Sequence, residues 1–304
     1  MSSTELTYTA GDKDQDRFLR EILFGPLALS HSLVVRLKHQ GRIKVNGQRR
    51  LTNYQVQAGD IVSIDLDFIE DSGIIPEPLP LDIVYEDQDL LAVNKPAGMS
   101  IHPSRRGGLG TLANAVAHYW QGTGRHTRYR PVHRLDKDTS GLVLIGGSQY
   151  AHQGLFQQQQ RRGIERVYTA LVEGVVKREH GSVDRPIARL EEKSRRRTVH
   201  PDGQPATTHY RVLERYPGHT LLEVSLETGR THQIRVHLSF IGHPVCGDPL
   251  YGPDSPLIGR QALHAGRLRF THPRTGERLE LSVPLPEDMR QAIEQLKDPH
   301  RKNH

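Results

Sequence analysis

Residues 131–144 read PVHRLDKDTSGLVL. The segment opens on a proline, passes through a cluster of charge, turns, and leaves as an apolar strand. Asp138, Thr139, Ser140 and Gly141 are all turn-favouring residues. Asp136 and Asp138 stand two apart, among His133, Arg134 and Lys137. A carboxylate set among cations suits a nucleophile or base acting on a polyanion. Two other chemistries fit worse. Asp-x-Asp in magnesium-dependent phosphoryl transfer follows an apolar strand, whereas Pro131–Leu135 precede it here and the cations oppose a metal. A Ser–His–Asp triad needs a Gly-x-Ser-x-Gly elbow, and Ser140 lacks that setting.

On either side of this segment the pattern is mixed. Short strand-like runs cover Ile83–Tyr85, Leu90–Val93, Leu142–Ile145, Tyr168–Val172, His209–Leu213 and Leu221–Leu226, with later ones at Leu268–Phe270 and Leu279–Val283. Helical spacing marks Leu112–Trp120, Gln149–Arg162 and Glu287–Leu296. Helices do not alternate regularly with strands, which argues against a doubly wound parallel sheet and for a mainly antiparallel α+β domain over 81–290. Before it, residues 68–80 are rich in proline and acid and read as a linker. Residues 15–67 read as two short helices and a small hairpin. Ser30 is the expected cap of the second helix, and Asn46-Gly47 the expected hairpin turn. Residues 1–14 read as a polar tail, and 291–304 as a helix end and basic tail.

Two further segments carry chemistry. TGRTHQIRVHL (228–238) crowds Arg230, His232, Gln233, Arg235 and His237 into one stretch. Arg235 lies among Ile234, Val236 and Leu238, and a cation in such company needs a partner; Asp136 is the candidate. The histidines have no metal-ligand spacing and read as ordinary surface or RNA-facing groups. ERVYTALVEG (165–174) puts Tyr168 at the head of a strand, where it would be core or would stack on a base.

Charge favours a polyanionic partner. The 304 residues carry 41 Lys and Arg against 35 Asp and Glu, a net charge of +6. Ile101 to Arg134 contains no acid but holds Arg105, Arg106, Arg125, Arg128, Arg130 and Arg134, and a second run holds Lys193 and Arg195–Arg197. Arginine suits bidentate phosphate contact. The one cysteine, Cys246, excludes an intrachain disulfide and a thiolate zinc cluster. No run nears the ~18 apolar residues of a membrane span, and the N-terminus has no secretory pattern. A cytoplasmic protein is expected, and a monomer, since no apolar helix stripe is left over.

Together, HRLDKDTSGLVL, ERVYTALVEG and TGRTHQIRVHLSFIGHPVCGDPLYG, with LAVNKPAGMSIHP (91–103) ahead of them, resemble the RluA-type family of RNA pseudouridine synthases over roughly residues 80–287. Residues 15–67, through LSHSLVVRLKHQGRIKVNG and a later AGDIV, resemble the S-four-type RNA-binding module. Cys246 stands where valine is common, and His31 where the module commonly has arginine. The resemblance implies a pseudouridine synthase fold, with a long, bent, mostly antiparallel sheet and the site in a basic cleft. It implies isomerisation of uridine in RNA, ribosomal or less commonly transfer RNA, with no cofactor or metal. Asp136 matches the catalytic aspartate, acting on the sugar carbon or on a ribose proton. Tyr168 matches the tyrosine that stacks on uracil, Arg235 the arginine paired with the aspartate, and Arg134 the residue that fills the space of the flipped nucleotide. His133, Arg105, Arg106, Lys137, Arg230, His232 and Gln233 are the further expected substrate contacts.

Overall fold

The computed structural model describes residues 5–67, 69–70, 73–104, 107–191 and 194–298. The N-terminal unit is built on alternation and capping. Strand β1 (Glu5–Thr9) is followed by helices α1 (Leu19–Phe24) and α2 (His31–Gln40), then strands β2 (Ile43–Val45), β3 (Gln48–Arg49) and β4 (Ile61–Asp65). Ser30 caps α2 by accepting the Leu33 N–H at 3.3 Å. The sheet runs β1-β4-β2-β3, and β1 pairs with β4 along its whole length. The expected tail is therefore corrected: residues 5–9 are an edge strand, with Leu6 buried in the unit's core. Its polar alternation (Glu-Leu-Thr-Tyr-Thr) suits an edge exposed on one face.

The large domain follows with β5 (Ile83–Glu86), β6 (Leu90–Lys95), α3 (Leu112–Gly122), β7 (Ser140–Gly146), α4 (Gln149–Gln160) and β8 (Glu165–Glu173). It continues with β9 (His180–Asp184), β10 (Ile187–Arg189), β11 (Arg197–Val199), β12 (Thr207–Tyr216), β13 (His219–Leu226) and α5 (Gln233–Phe240), and closes with β14 (Leu263–Thr271), β15 (Arg278–Ser282) and α6 (Glu287–Lys297). The main sheet has the order β5-β6-β7-β14-β8-β13-β12-β9, with β15 added on β14. Every pairing is antiparallel except β7 with β14. That close pairing depends on Gly141, at φ +114°, where a Cβ would stand 2.3 Å from the Ala265 carbonyl oxygen. The turn expected over Asp138–Gly141 is corrected: it lies at Lys137-Asp138, and Ser140 and Gly141 already belong to β7, the strand that follows the loop of residues 134–139.

Strand β7 is buried along its length. Val143 and Ile145 face the larger core with α3 and α6, while Leu142 and Leu144 face a smaller one with α4, as the two-residue period of a strand requires. The sheet is mostly antiparallel, as expected. The short strands β9, β10 and β11 were not anticipated. The expected boundary at 290 falls inside α6, whose Met289, Ala292 and Ile293 are buried in the main core.

The segment expected as a linker forms no helix or strand where it is described, but it is not free. Glu70 is buried and pairs with Arg36 of α2 and with Arg130, at 2.8 Å to the latter, and Asn114 of α3 donates to the Ile75 carbonyl at 2.8 Å. Helix α4 supplies a second tie, with Gln153 accepting the Ser30 N–H at 3.0 Å and Tyr150 packing on the N-terminal core. No described helix is long and apolar enough to cross a membrane.

Candidate active site

Asp136 sits on a loop pinned from behind. Val132 donates its N–H to the Leu144 carbonyl at 2.8 Å, so the chain enters the loop alongside β7. Lys95, fully buried at the end of β6, donates to the carbonyls of Pro96, Met99 and Lys137 at 2.8–3.0 Å. Burial pushes its pKa down to about 7. Arg260 donates to the Asp138 carbonyl at 3.0 Å, and Thr139 to that of Asp136 at 3.1 Å. With its carbonyls held and Leu135 buried, the loop turns Arg134 and Asp136 to the other side.

There they border a cavity of about 300 Å³. That is the lower end of the ~300–1,000 Å³ typical of small-ligand sites, a size for one nucleotide. Asp136, Tyr168 and Arg235, three segments far apart in the chain, all line it. Helix α5 aims Arg235 inward, its Nη1 donating to Asp136 Oδ2 at 3.0 Å. The partner expected for Arg235 is thus found, and there is a second. Arg235 Nε and Nη2 both donate at 2.7 Å to Asp248, which is fully buried. Burial alone would favour discharging Arg235, but Asp248 and then Asp136 reverse this and hold its pKa above the usual value. The guanidinium is therefore a fixed cation behind Asp136. Tyr168 is 5% exposed, and burial raises its phenol pKa, with Arg166 opposing. It enters the site as a neutral ring.

The other expected contacts divide. Arg134 and Arg230 are exposed at the cavity rim, and His232 lies beside Asp136, its Nε2 3.9 Å from Oδ2. His133 lines the cavity but is buried, and its Nε2 accepts the Leu144 N–H at 3.3 Å. Burial, with Arg166 adding to it, pushes its pKa down to about 3, so it brings no charge to a phosphate. Gln233 is likewise turned to structure. Its Oε1 accepts from Thr228 at 2.7 Å and the Arg230 N–H at 2.9 Å, while its Nε2 donates to Thr207 and Thr208 at 3.0 and 3.1 Å. It shapes the loop that presents Arg230. Lys137 is exposed and lies outside the cavity lining. Arg105 and Arg106 fall outside the described residues. His237, expected at a surface, is fully buried between Thr208 and the Arg185 carbonyl, at 2.9 Å from each.

Asp248, Arg166 and Tyr251 were not singled out in the sequence. Asp248 and Tyr251 stand in the Gly-Asp-Pro-Leu-Tyr-Gly stretch, where an acid after an apolar run was the available signal. Away from the cavity lining, Glu173, His219 and Cys246 bring their ligand-type atoms within 4.8 Å of one another. Each already has a partner: Glu173 pairs with His219 at 3.2 Å, the thiol donates to Ser255 at 3.2 Å, and burial pushes that thiol up to about 12.

Comparison with known proteins gives the family. The sequence model of the RNA pseudouridylate synthase family matches residues 89–240, a span that includes Asp136, Tyr168 and Arg235. The chain is 47% identical to the uncharacterized RNA pseudouridine synthase YlyB of Bacillus subtilis (strain 168), over 84% of this chain and 86% of that protein. It is 44% identical to the ribosomal large subunit pseudouridine synthase D of Yersinia pestis, over 84% and 83%. Among solved structures it resembles human RNA pseudouridylate synthase domain containing 1, with TM-score 0.58 and 26% identity, covering 73% of this chain and 96% of that one. The chain belongs to the RNA pseudouridylate synthase family and is an RNA pseudouridine synthase.

Proposed function

We propose that the enzyme isomerises uridines of large-subunit ribosomal RNA, with Asp136 as the reacting carboxylate. The observation that carries the reading is the Asp136–Arg235 pair at 3.0 Å, held on a buried carboxylate and opening on a cavity also lined by Tyr168. Simple RNA binding requires no such carboxylate behind a fixed cation. The choice of RNA is supported by the relatives named for the ribosomal large subunit in Yersinia pestis and Escherichia coli O157:H7.

The bonds balance without an added reagent. The bond from uracil N1 to the ribose anomeric carbon breaks and one from carbon 5 forms. The carbon 5 proton leaves and N1 ends protonated. Asp136 acts at the sugar, either on the anomeric carbon or by taking the neighbouring ribose proton. Arg235 fixes the carboxylate where water is scarce, so little reorganisation is needed as charge develops. Tyr168 stacks on the extruded base, and the carbon 5 proton passes to solvent, where tritium release detects it. Extrusion costs a few kcal/mol, and Arg134 at the rim fills the vacated space. Arg230 faces the distorted backbone from the rim of the cavity, and the N-terminal unit adds further contact to RNA.

The test uses RNA tritiated at carbon 5 of uridine, in EDTA. Release of tritium from large-subunit ribosomal RNA or its assembling particle, with pseudouridine mapped at defined positions, supports the reading. Release from transfer RNA alone would overturn the choice of RNA, and no release from any of these would overturn the activity.

A further inference from the structure

Tyr251 lies outside every expected contact, yet its side chain joins three parts of the site. We propose that Tyr251 and His232 form a second arm on Asp136, in which the Tyr251 hydroxyl is the positioning group that turns the His232 Nε2–H toward the carboxylate. This rests on reading Asp136 as the reacting group.

The geometry begins with His232. It has a left-handed backbone, φ 60° and ψ 18°, at the N-cap of α5, yet its side chain makes no capping hydrogen bond. A non-glycine residue held there is strained and persists only where its surroundings over-determine it. What holds it is the ring. Nδ1 is 2.8 Å from the Tyr251 hydroxyl, and Nε2 is 3.9 Å from Asp136 Oδ2, the oxygen that Arg235 also contacts. Burial lowers the imidazole pKa, with Asp136 opposing and Arg235 and Arg197 adding to it, so the ring is neutral and has one N–H to place. On Nδ1 it would leave the Nε2 lone pair facing a carboxylate. On Nε2 it faces Asp136, and the tyrosine hydroxyl donates to Nδ1.

Tyr251 is itself fixed. Its oxygen accepts the Arg197 N–H at 2.7 Å, which ties in the basic arm of β10 and β11. Its ring meets His232 edge-on at 5.7 Å and carries the Arg235 guanidinium at 5.1 Å. Its amide donates at 3.3 Å to Asp248, the carboxylate that holds Arg235. Both arms on Asp136 therefore stand on one base. The 3.9 Å separation is too long for a hydrogen bond. Such contacts commonly tighten only with substrate bound.

The test compares the full chain with its Tyr251→Phe and His232→Ala variants. Nitrogen-15 spectra of labelled histidines, with His232 identified by its loss in His232→Ala, report the tautomer. Tritium release reports kcat and KM. The expected result is a protonated Nε2 in the native chain and a mixed tautomer in Tyr251→Phe. Its kcat should fall about three- to tenfold, the range one hydrogen bond supports, at unchanged KM. Because the two act as one unit, Tyr251→Phe should add nothing to His232→Ala. A proton on Nδ1 in the native chain, an undiminished kcat in Tyr251→Phe, or multiplying effects would overturn the proposal. A native chain that releases no tritium would instead overturn the functional reading, while the nitrogen spectra still decide the arm.

Discussion

Replacing Arg235 by methionine separates what the buried cluster does for the fold from what it does for the chemistry. Arg235 is 3% exposed and Asp248 not at all. Without the guanidinium, Asp248 keeps only the N–H groups of Leu250 at 2.9 Å and Tyr251 at 3.3 Å. Breaking a buried ion pair from one side costs ~3–5 kcal/mol, a large part of the ~5–15 kcal/mol that holds a folded protein. Arg235→Met should therefore lose both stability and turnover. Adding Asp248→Asn removes the stranded charge but keeps an acceptor for the two N–H groups. The double variant should regain about 2–4 kcal/mol and none of the activity, because Asp136 still lacks its cation. Urea unfolding followed by Trp120, the single tryptophan, measures the first quantity, and tritium release the second. A double variant no more stable than Arg235→Met would refute the ion-pair argument. One that regained turnover would refute the role given to the guanidinium.

Asp136→Asn should abolish tritium release and leave RNA affinity nearly unchanged, as measured by filter binding; an equal collapse of binding would make the residue structural. Glu70→Gln removes the charge that holds Arg36 and Arg130 together and should weaken the docking of the N-terminal unit by about 1–3 kcal/mol, seen as faster hydrogen exchange in α2 and at residues 127–130. Exchange at the native rate would count against the latch. Acid should destabilise the protein below about pH 6.5, the ordinary histidine value. His133 and His264 are pushed down to about 3 and about 4 by burial, so below that pH the unfolded chain takes up protons that the folded one refuses. The loss continues until the folded values are reached and amounts to about 2 kcal/mol per histidine at about pH 5. A stability flat from about pH 7 to 5 would contradict it.

Much of this protein was legible without coordinates because its signals are local. The apolar run after Thr139-Ser140-Gly141, the Ser30 cap and the Asn46-Gly47 turn are each dictated by a few neighbouring residues. All three lie where the structure has β7, α2 and the β2–β3 hairpin. The Asp136–Arg235 pair was legible for a different reason: a cation inside an apolar stretch has to be answered by a carboxylate. What failed was the direction of polar side chains. His133 and Gln233 read like any histidine or glutamine beside a basic motif, and only the fold shows that both are buried, His133 with Nε2 on the Leu144 N–H and Gln233 bonded at both ends of its amide. Strand β1 was missed because an edge strand exposed on one face has the composition of a tail. For Asp248 the acid after an apolar run was the one local signal, and nothing local pointed to Tyr251. The sequence by itself determined the elements and the chemical inventory, since periodicity, turns and charge are properties of adjacent residues. The tertiary structure alone decided which carboxylate holds Arg235, where His232 points and what Tyr251 joins, because hydrogen-bond partners are fixed by distance in space between groups far apart along the chain.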